Sequence, residues 1–260
     1  GYLGLKKFGA DVDFIVPNRF KFGYGLTPEI VDLAYQKKPS LIVTVDNGIA
    51  SIAGVKKAKS YGIDVLIKDH HLPADELPDA DFIVNPNQPF CKFPSKNLCG
   101  VGVIFYVLLS LRIELRKLNR FISQPEPILS DLLDLVALGT IADLVRLDFN
   151  NRILVNYGIK KIRSGNCNFG IQAISYLSNK KLKDIQTSDL SFLIAPKINA
   201  AGRLDDMTVG IKCLVSNNKS EAEKYAKQLL IFNEQRKLVE NEMKDDALAT
   251  LNNYIVEDSY

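Results

Sequence analysis

Short apolar segments alternate with segments of helical periodicity in the first third of the chain. The pattern predicts strands at Asp11–Val16, Leu41–Val45, Ile63–Ile67 and Phe82–Val84. Between them, a Thr-Pro-Glu start at Thr27 favours a helix to about Lys38, and a second helix is predicted over 52–61. Continuous apolar strands separated by helices are typical of a parallel sheet with both faces covered. We therefore predict an α/β fold with a doubly wound parallel sheet.

The remainder of the chain is predicted to be mainly helical. Helical periodicity occurs over 101–118, 128–138 and 152–163, and a polar loop is expected at 196–203. From Ser220 the sequence is rich in Lys and Glu with apolar residues at helical spacing, which indicates a long connecting helix with a solvated charged face. The predicted division is an α/β domain at 1–150, a helical part of the same core at 151–218, and a long linker helix at 219–260.

Composition narrows the class of protein only slightly. The 260 residues are 47% hydrophobic and 24% charged, as in ordinary folded proteins, and the net charge of +3 is too small to indicate nucleic-acid binding by itself. The four cysteines show no paired spacing, which favours free thiols in a reducing cytoplasm and argues against a zinc site. Neither a membrane segment nor a signal peptide is recognisable, so a cytoplasmic protein is expected.

Polar side chains follow two of the predicted strands. Asp46 comes directly after one strand, and Asp69, His70 and His71 come after the next. His70 and His71 are the only histidines of the sequence. Parallel sheets bind ligands beyond the carboxyl ends of their strands, and one strand-helix-strand unit separates the two clusters, so they should be neighbours. Carboxylate and imidazole suit Mn²⁺, Mg²⁺ or Zn²⁺, and the lack of nearby thiols favours the first two. The alternatives are a structural turn at Asp46 and structural histidines.

Three further positions carry weaker signals. Asp143 follows an apolar stretch and is either a ligand or an ordinary helix end. Arg203, four residues after Asn199 in a glycine-containing segment, suits bidentate phosphate binding or a surface ion pair. Arg19 lies among aromatic residues that could stack on bases, or it belongs to an ordinary loop.

Taken in order, these segments resemble the DHH phosphoesterase superfamily, and most closely its RecJ-type branch of single-stranded-DNA-specific exonucleases. The resemblance covers essentially the whole chain. The motifs that carry it are Asp46-Asn47-Gly48, Asp69-His70-His71-Leu72-Pro73, Asn85-Pro86-Asn87-Gln88-Pro89, Cys99-Gly100-Val101-Gly102-Val103, Gly139-Thr140-Ile141-Ala142-Asp143 and Ile198-Asn199-Ala200-Ala201-Gly202-Arg203-Leu204.

The resemblance implies a two-metal centre that usually holds manganese, with magnesium as the alternative. It implies that Asp46, His70 and Asp143 bind metal. His71 would contact the scissile phosphate, and Asp69 would orient the histidines or support the metal from a further contact. Two cations would lower the pKa of an attacking water and neutralise charge in the transition state.

It also implies a substrate and partners. Arg203 and Asn199 would bind substrate phosphates, with Arg19 as a weaker candidate. The implied activity is 5′ to 3′ exonucleolytic hydrolysis of single-stranded DNA in recombination and repair. Single-strand-binding protein and helicase are candidate partners, and no membrane is involved.

Two departures from the family pattern limit the comparison. The aspartate-rich first motif would lie before Gly1, and a C-terminal domain would follow Tyr260, so this fragment alone is expected to be inactive. One alternative is a phosphoesterase for short oligonucleotides or cyclic dinucleotides, against which the segments around Arg19 and Arg203 argue. The other is a non-catalytic replication scaffold, against which the retained aspartates and histidines argue.

Overall fold

A three-stranded parallel sheet organises the first part of the chain. The computed structural model describes residues 1–17, 22–203 and 207–253. The strands are β1 (Leu41–Val45), β2 (Asp64–Lys68) and β3 (Phe82–Val84), hydrogen-bonded in that order. Val45 lies opposite Lys68, so β1 and β2 end level with each other. The predicted parallel α/β sheet is confirmed, and the residues that follow both strands emerge at one edge.

Helices make up most of the rest of the described chain. In order they are α1 (Tyr2–Lys7), α2 (Pro28–Tyr35), α3 (Ile52–Ser60), α4 (Gly100–Lys117), α5 (Leu133–Ala142), α6 (Phe149–Arg163), α7 (Phe169–Leu177), α8 (Ala195–Ala200), α9 (Thr208–Val215) and α10 (Lys219–Asn253). Short 3-10 turns occur at Leu129–Leu132, Leu182–Asp184 and Ala201–Arg203, and a π-turn at Leu190–Ile194 precedes α8. None of the helices within the described ranges is both long and apolar enough to cross a bilayer.

Helices cover both faces of the sheet. On one face, Val65 and Ile67 of β2 are fully buried in a cluster with Val31 of α2 and with Val55 and Ala58 of α3. Successive side chains of a strand point to opposite faces, so Lys68 lies on the other face with Leu66. There the Lys68 ammonium donates to the Gly100 carbonyl at the start of α4. This two-sided packing is the doubly wound arrangement predicted from the apolar strands.

The helical second half has its own apolar core, built from residues of α5 to α10. The long helix α10 joins that core through Ala222, Ala226 and Leu229, which are fully buried. Asn233 is the last buried residue among the described side chains of α10, and most side chains after it are exposed. The helix is therefore anchored by its first four turns.

Two predictions about local structure are wrong. Asp11–Val16 is not a strand: Asp13 pairs with Lys37 and Phe14 packs edge-on against Tyr2, and no ladder forms there within the described chain. Alternation favours an extended backbone, but a strand also needs a partner. The loop predicted at 196–203 is helical, since Pro196 lies in the first turn of α8, where a missing N–H costs no hydrogen bond.

Candidate metal centre

Asp46 leaves the end of β1 in an unusual backbone conformation. Its φ is +66°, in the left-handed region that non-glycine residues seldom adopt. Its N–H still donates to the Lys68 carbonyl (3.0 Å), and its own carbonyl accepts from the Tyr24 hydroxyl (3.0 Å). The strained residue is thus held on both sides, as strained residues at functional sites commonly are.

His70 brings three separate segments together. Its Nε2 atom lies 3.1 Å from Asp46 Oδ1 and 3.4 Å from Asp143 Oδ2. Asp143 is the residue that directly follows α5. The ends of β1, β2 and α5 therefore converge. For β1 and β2, this proximity was predicted from the sheet edge that their ends share.

The convergent atoms have the chemistry of a cation site. His70 Nε2 is buried and has no well-directed hydrogen bond, although two carboxylate oxygens lie within ion-pair distance. A buried polar atom left without a partner is costly unless something else binds it. Asp46, His70 and His71 can each offer one ligand atom, all within 4.8 Å of one another. Imidazole nitrogen with carboxylate oxygens suits Mn²⁺ well, so the side chains present fit such an ion.

Asp69 organises the loop that carries the two histidines. Its fully buried carboxylate accepts from the backbone N–H of Ile49 (2.9 Å) and of His70 (2.7 Å), and lies 2.7 Å from His71 Nδ1. The contact with Ile49 also ties this loop to the turn after Asp46. Both carboxylate oxygens of Asp69 therefore accept hydrogen bonds from the protein, which suits a role in orienting the histidine loop. The bond at Nδ1 leaves Nε2 of the half-exposed His71 available for a ligand.

The charges of the cluster perturb one another. The Asp46 carboxylate raises the pKa of His70, and His70 in turn lowers the pKa of Asp46. Burial raises the pKa of Asp143. Burial opposes ionisation of Asp69 too, but the hydrogen bonds from Ile49 and the histidine loop outweigh it and lower its pKa. A proton and a cation would therefore compete for the His70 imidazole.

A family profile matches the part of the chain that contains the sheet. The sequence profile described as "DHH family, N-terminal domain" matches residues 1–140, more than half of the chain. The chain belongs to the DHH family. The matched range contains Asp46 and the Asp-His-His segment, and it ends three residues before Asp143.

Several curated relatives of this chain share one name. The chain is 51% identical over 249 residues to "Single-stranded-DNA-specific exonuclease RecJ" of Salmonella typhimurium and 50% identical to the protein of the same name in Escherichia coli. Each alignment covers 95% of this chain and 43% of the relative, so the chain spans less than half the length of these relatives. A solved structure described as exonuclease RecJ bound to manganese matches with a TM-score of 0.82 and 30% identity, covering 95% of this chain and 60% of that one.

Two residues shape this DHH site without having been given a role from the sequence: Lys68 was not singled out, and Gly100 was noted only as part of a motif. Lys68 is fully buried beneath it, and burial lowers its pKa to about 8. Gly100 packs directly on Asp46: a Cβ added there would lie 2.2 Å from Asp46 Oδ1. The sequence signals were a lysine inside an apolar strand and a glycine at the start of a helix. Neither signal shows which residue the lysine or the glycine contacts in the fold.

The loop after β3 supports the histidines through their backbone. The side-chain amides of Asn85 and Asn87 donate to the carbonyls of His71 (2.8 Å) and His70 (2.6 Å). The Asn-Pro-Asn motif was noted in the sequence without a role, and these contacts give it one.

The predicted phosphate-binding residues are only partly described. Asn199 is exposed on α8 and lines a pocket together with Ala142, the neighbour of Asp143. The backbone of Arg203 ends a 3-10 turn, but its side chain lies outside the described part of the structure. Arg19 lies wholly outside the described residues.

Proposed function

We propose that this chain is the catalytic core of a metal-dependent exonuclease that hydrolyses single-stranded DNA from the 5′ end. The observation that carries the proposal is the convergence of Asp46 and Asp143 on His70 Nε2, at 3.1 and 3.4 Å. Support also comes from relatives near 50% identity that are named single-stranded-DNA-specific exonucleases. The 5′ to 3′ direction rests on the family resemblance alone.

Mn²⁺ is the proposed cofactor, with Mg²⁺ as the alternative. Asp46, His70 and Asp143 would hold one ion, and the buried Nε2 of His70, which has no well-directed hydrogen bond, is the atom that most requires it. The second ion of the expected pair depends on the aspartate-rich first motif of the family. Bound cations would lower the pKa of the attacking water and offset charge that develops on the phosphate.

The surrounding side chains would position these groups. Asp69 would hold His71 through Nδ1, so that His71 Nε2 faces the scissile phosphate. Asn199, Arg203 and Arg19 would bind phosphates of the strand farther from the metal. The long helix α10 would lead on toward a further domain, as the predicted division at 219–260 has it.

The direct test is nuclease activity of the full product of the gene on long single strands labelled at the 5′ or the 3′ end, with Mn²⁺. We expect Asp46→Ala and His70→Ala to lower the rate about 1000-fold, because loss of a metal ligand removes several kcal/mol of transition-state stabilisation. The matched control is Asp75→Ala, which removes an exposed carboxylate from the loop after β2, the strand that His70 also follows. Cleavage by the two site variants at the rate of the Asp75 variant would refute the site.

The same assay separates the competing functions. A phosphoesterase for short substrates would cleave dinucleotides or cyclic dinucleotides and leave long strands intact. A scaffold would bind strands without metal-dependent cleavage. Release of mononucleotides from the 5′ end of a long strand supports the proposal over both.

The proposed cellular role is recombination and repair in the cytoplasm. Single-strand-binding protein and helicase are the proposed partners, since they supply or coat the single strand. Stimulation of digestion by either protein on a duplex with a single-stranded tail would support this role, and indifference to both would oppose it.

A further inference from the structure

A pocket of about 180 Å³ lies beside the candidate metal centre. The C-terminal end of α5, the π-turn, α8 and the long helix α10 form its walls. Its polar lining comes from Ser191, Asn199 and Arg236. Ala142 also lines it, and the next residue is Asp143, which contacts His70. A ligand in this pocket would therefore lie beside Ala142, the residue that precedes Asp143 of the metal cluster in the chain.

Arg236 has hydrogen-bonding capacity that the described residues leave unused. Its Nε atom is buried and without a partner. Its described ion pair is with Glu240, 3.5 Å from Nη1, and the Glu240 side chain is 63% exposed. A pair of this kind on one helix is worth less than about 1 kcal/mol. A buried guanidinium N–H that lacks an acceptor is costly, and an anionic oxygen is the acceptor that suits it best.

Anchoring of the helix does not require Arg236. Ala222, Ala226 and Leu229 already bury the first turns of α10 in the core. Arg236 lies after them, where the helix leaves the core and faces the pocket.

Charged residues of α8 and α10 lie next to residues that line the pocket. Lys197 of α8 is partly buried, and burial first and the nearby Lys237 second lower its pKa, so these two cations lie close together. Glu234 pairs with Lys237 (2.9 Å), and Glu240 contacts Arg236. With Asp143, which follows the lining residue Ala142, three carboxylates accompany these three cations, and the charge in the lining itself is that of Arg236.

We infer that this pocket binds a backbone phosphate of the nucleic-acid strand, with the Arg236 guanidinium and the Asn199 amide as its ligands. The inference rests on the proposed function, because it assigns one phosphate of the same strand that reaches the metal centre. A planar guanidinium grips two phosphate oxygens at once, and the exposed amide of Asn199 adds a donor on the opposite helix.

The test measures binding rather than cleavage, so that it does not depend on metal. A labelled single-stranded oligonucleotide is titrated in EDTA with the wild type, Arg236→Met and Lys227→Met. Lys227 is exposed on the same helix and loses the same charge, so it controls for net charge. We expect about tenfold weaker binding for Arg236→Met and little change for Lys227→Met. The slope of log K against log salt should fall by about 0.7 for one lost phosphate contact.

A second variant guards against a folding defect. Asn199→Asp is nearly isosteric, keeps Arg236 and places a negative charge in the pocket, so it should weaken binding by a similar factor. Thermal melting without DNA checks that each variant is folded. If both pocket variants bind like Lys227→Met, the inference is overturned.

Further outcomes separate this inference from the proposed function. Metal-dependent cleavage by the wild type with an unaffected Arg236→Met would leave the function intact and remove the pocket. Arg236-dependent stabilisation by inorganic phosphate, with no binding of single strands, would overturn both the strand assignment and the proposed function. Replacing single linkages of the oligonucleotide by uncharged methylphosphonate should erase the difference between wild type and Arg236→Met at one linkage position only.

Discussion

Gly100 offers the sharpest test of the metal centre, because it touches Asp46 without being a ligand. It is the first residue of α4, and its φ is not among the positive values of the described chain, so alanine is conformationally acceptable there. Alanine is favoured over glycine in helices by up to about 1 kcal/mol. The substitution should therefore leave the helix intact.

The magnitude of the disturbance follows from the packing. An alanine Cβ would lie 2.2 Å from Oδ1 and 2.8 Å from Cβ of Asp46. Ordinary van der Waals contact begins at 3.4 Å, so the Oδ1 atom must retreat by about 1.2 Å, the difference between 3.4 and 2.2 Å. Metal–ligand distances tolerate only about 0.2 Å. We expect Gly100→Ala to weaken Mn²⁺ binding by about 10- to 100-fold, the effect typical of losing a supporting contact.

Calorimetric titration with Mn²⁺ measures the effect, with Gly102→Ala as the matched control. Gly102 lies on the same helix as Gly100, and the atoms nearest to a Cβ at Gly102 belong to the Leu98 side chain, at 3.0 Å. The overlap with Asp46 should cost Gly100→Ala about 1–3 kcal/mol of stability, so melting in EDTA sets the baseline of each variant, and Mn²⁺ should raise the melting temperature of Gly100→Ala less than that of Gly102→Ala. Equal Mn²⁺ affinities for the two alanine variants would show that the carboxylate of Asp46 is not a ligand in this position.

Four other experiments probe the same cluster. Because Asp46 raises the pKa of His70, a proton competes with Mn²⁺ for the imidazole. The Mn²⁺ affinity measured by calorimetry should therefore rise with pH and level off above the pKa of His70. A flat profile from pH 5.5 to 8.5 would contradict this competition. In EDTA the same raised pKa stabilises the fold below about pH 6.5, and this contribution should fade in thermal melts as the pH rises through the folded-state pKa. Asp69→Asn replaces one acceptor oxygen by a donor and should cost about 2 kcal/mol in denaturant unfolding, whereas wild-type stability would refute its organising role. Burial lowers the pKa of Lys68 from 10.5 to about 8, so between these pH values the unfolded chain keeps a proton that the folded chain has lost. The stability of the wild type relative to Lys68→Met should therefore rise by about 3 kcal/mol toward pH 10.5. Parallel stability curves for the two proteins would exclude the shift.

The parts of the site that the sequence predicted follow from general rules of strand geometry. Val45 and Lys68 end level in the sheet, and that register makes Asp46 and Asp69 neighbours at the edge where parallel sheets bind ligands. Asp143 was a weaker prediction, because a helix end has no fixed relation to a sheet edge. It needed the packing of α5 to place it 3.4 Å from His70.

Arg236 shows why the remainder could not be predicted. The sequence of α10 has apolar residues at helical spacing among charged ones. That periodicity identifies the face that packs on the core, but it treats the charged positions on the remaining faces as solvated. Whether a given arginine faces water or a pocket depends on α8, which the sequence predicted as a loop, and on the end of α5 near Asp143. An error in one short helix therefore hides a candidate binding residue on another, so functional residues contributed by long connecting helices become recognisable only after their packing partners are known.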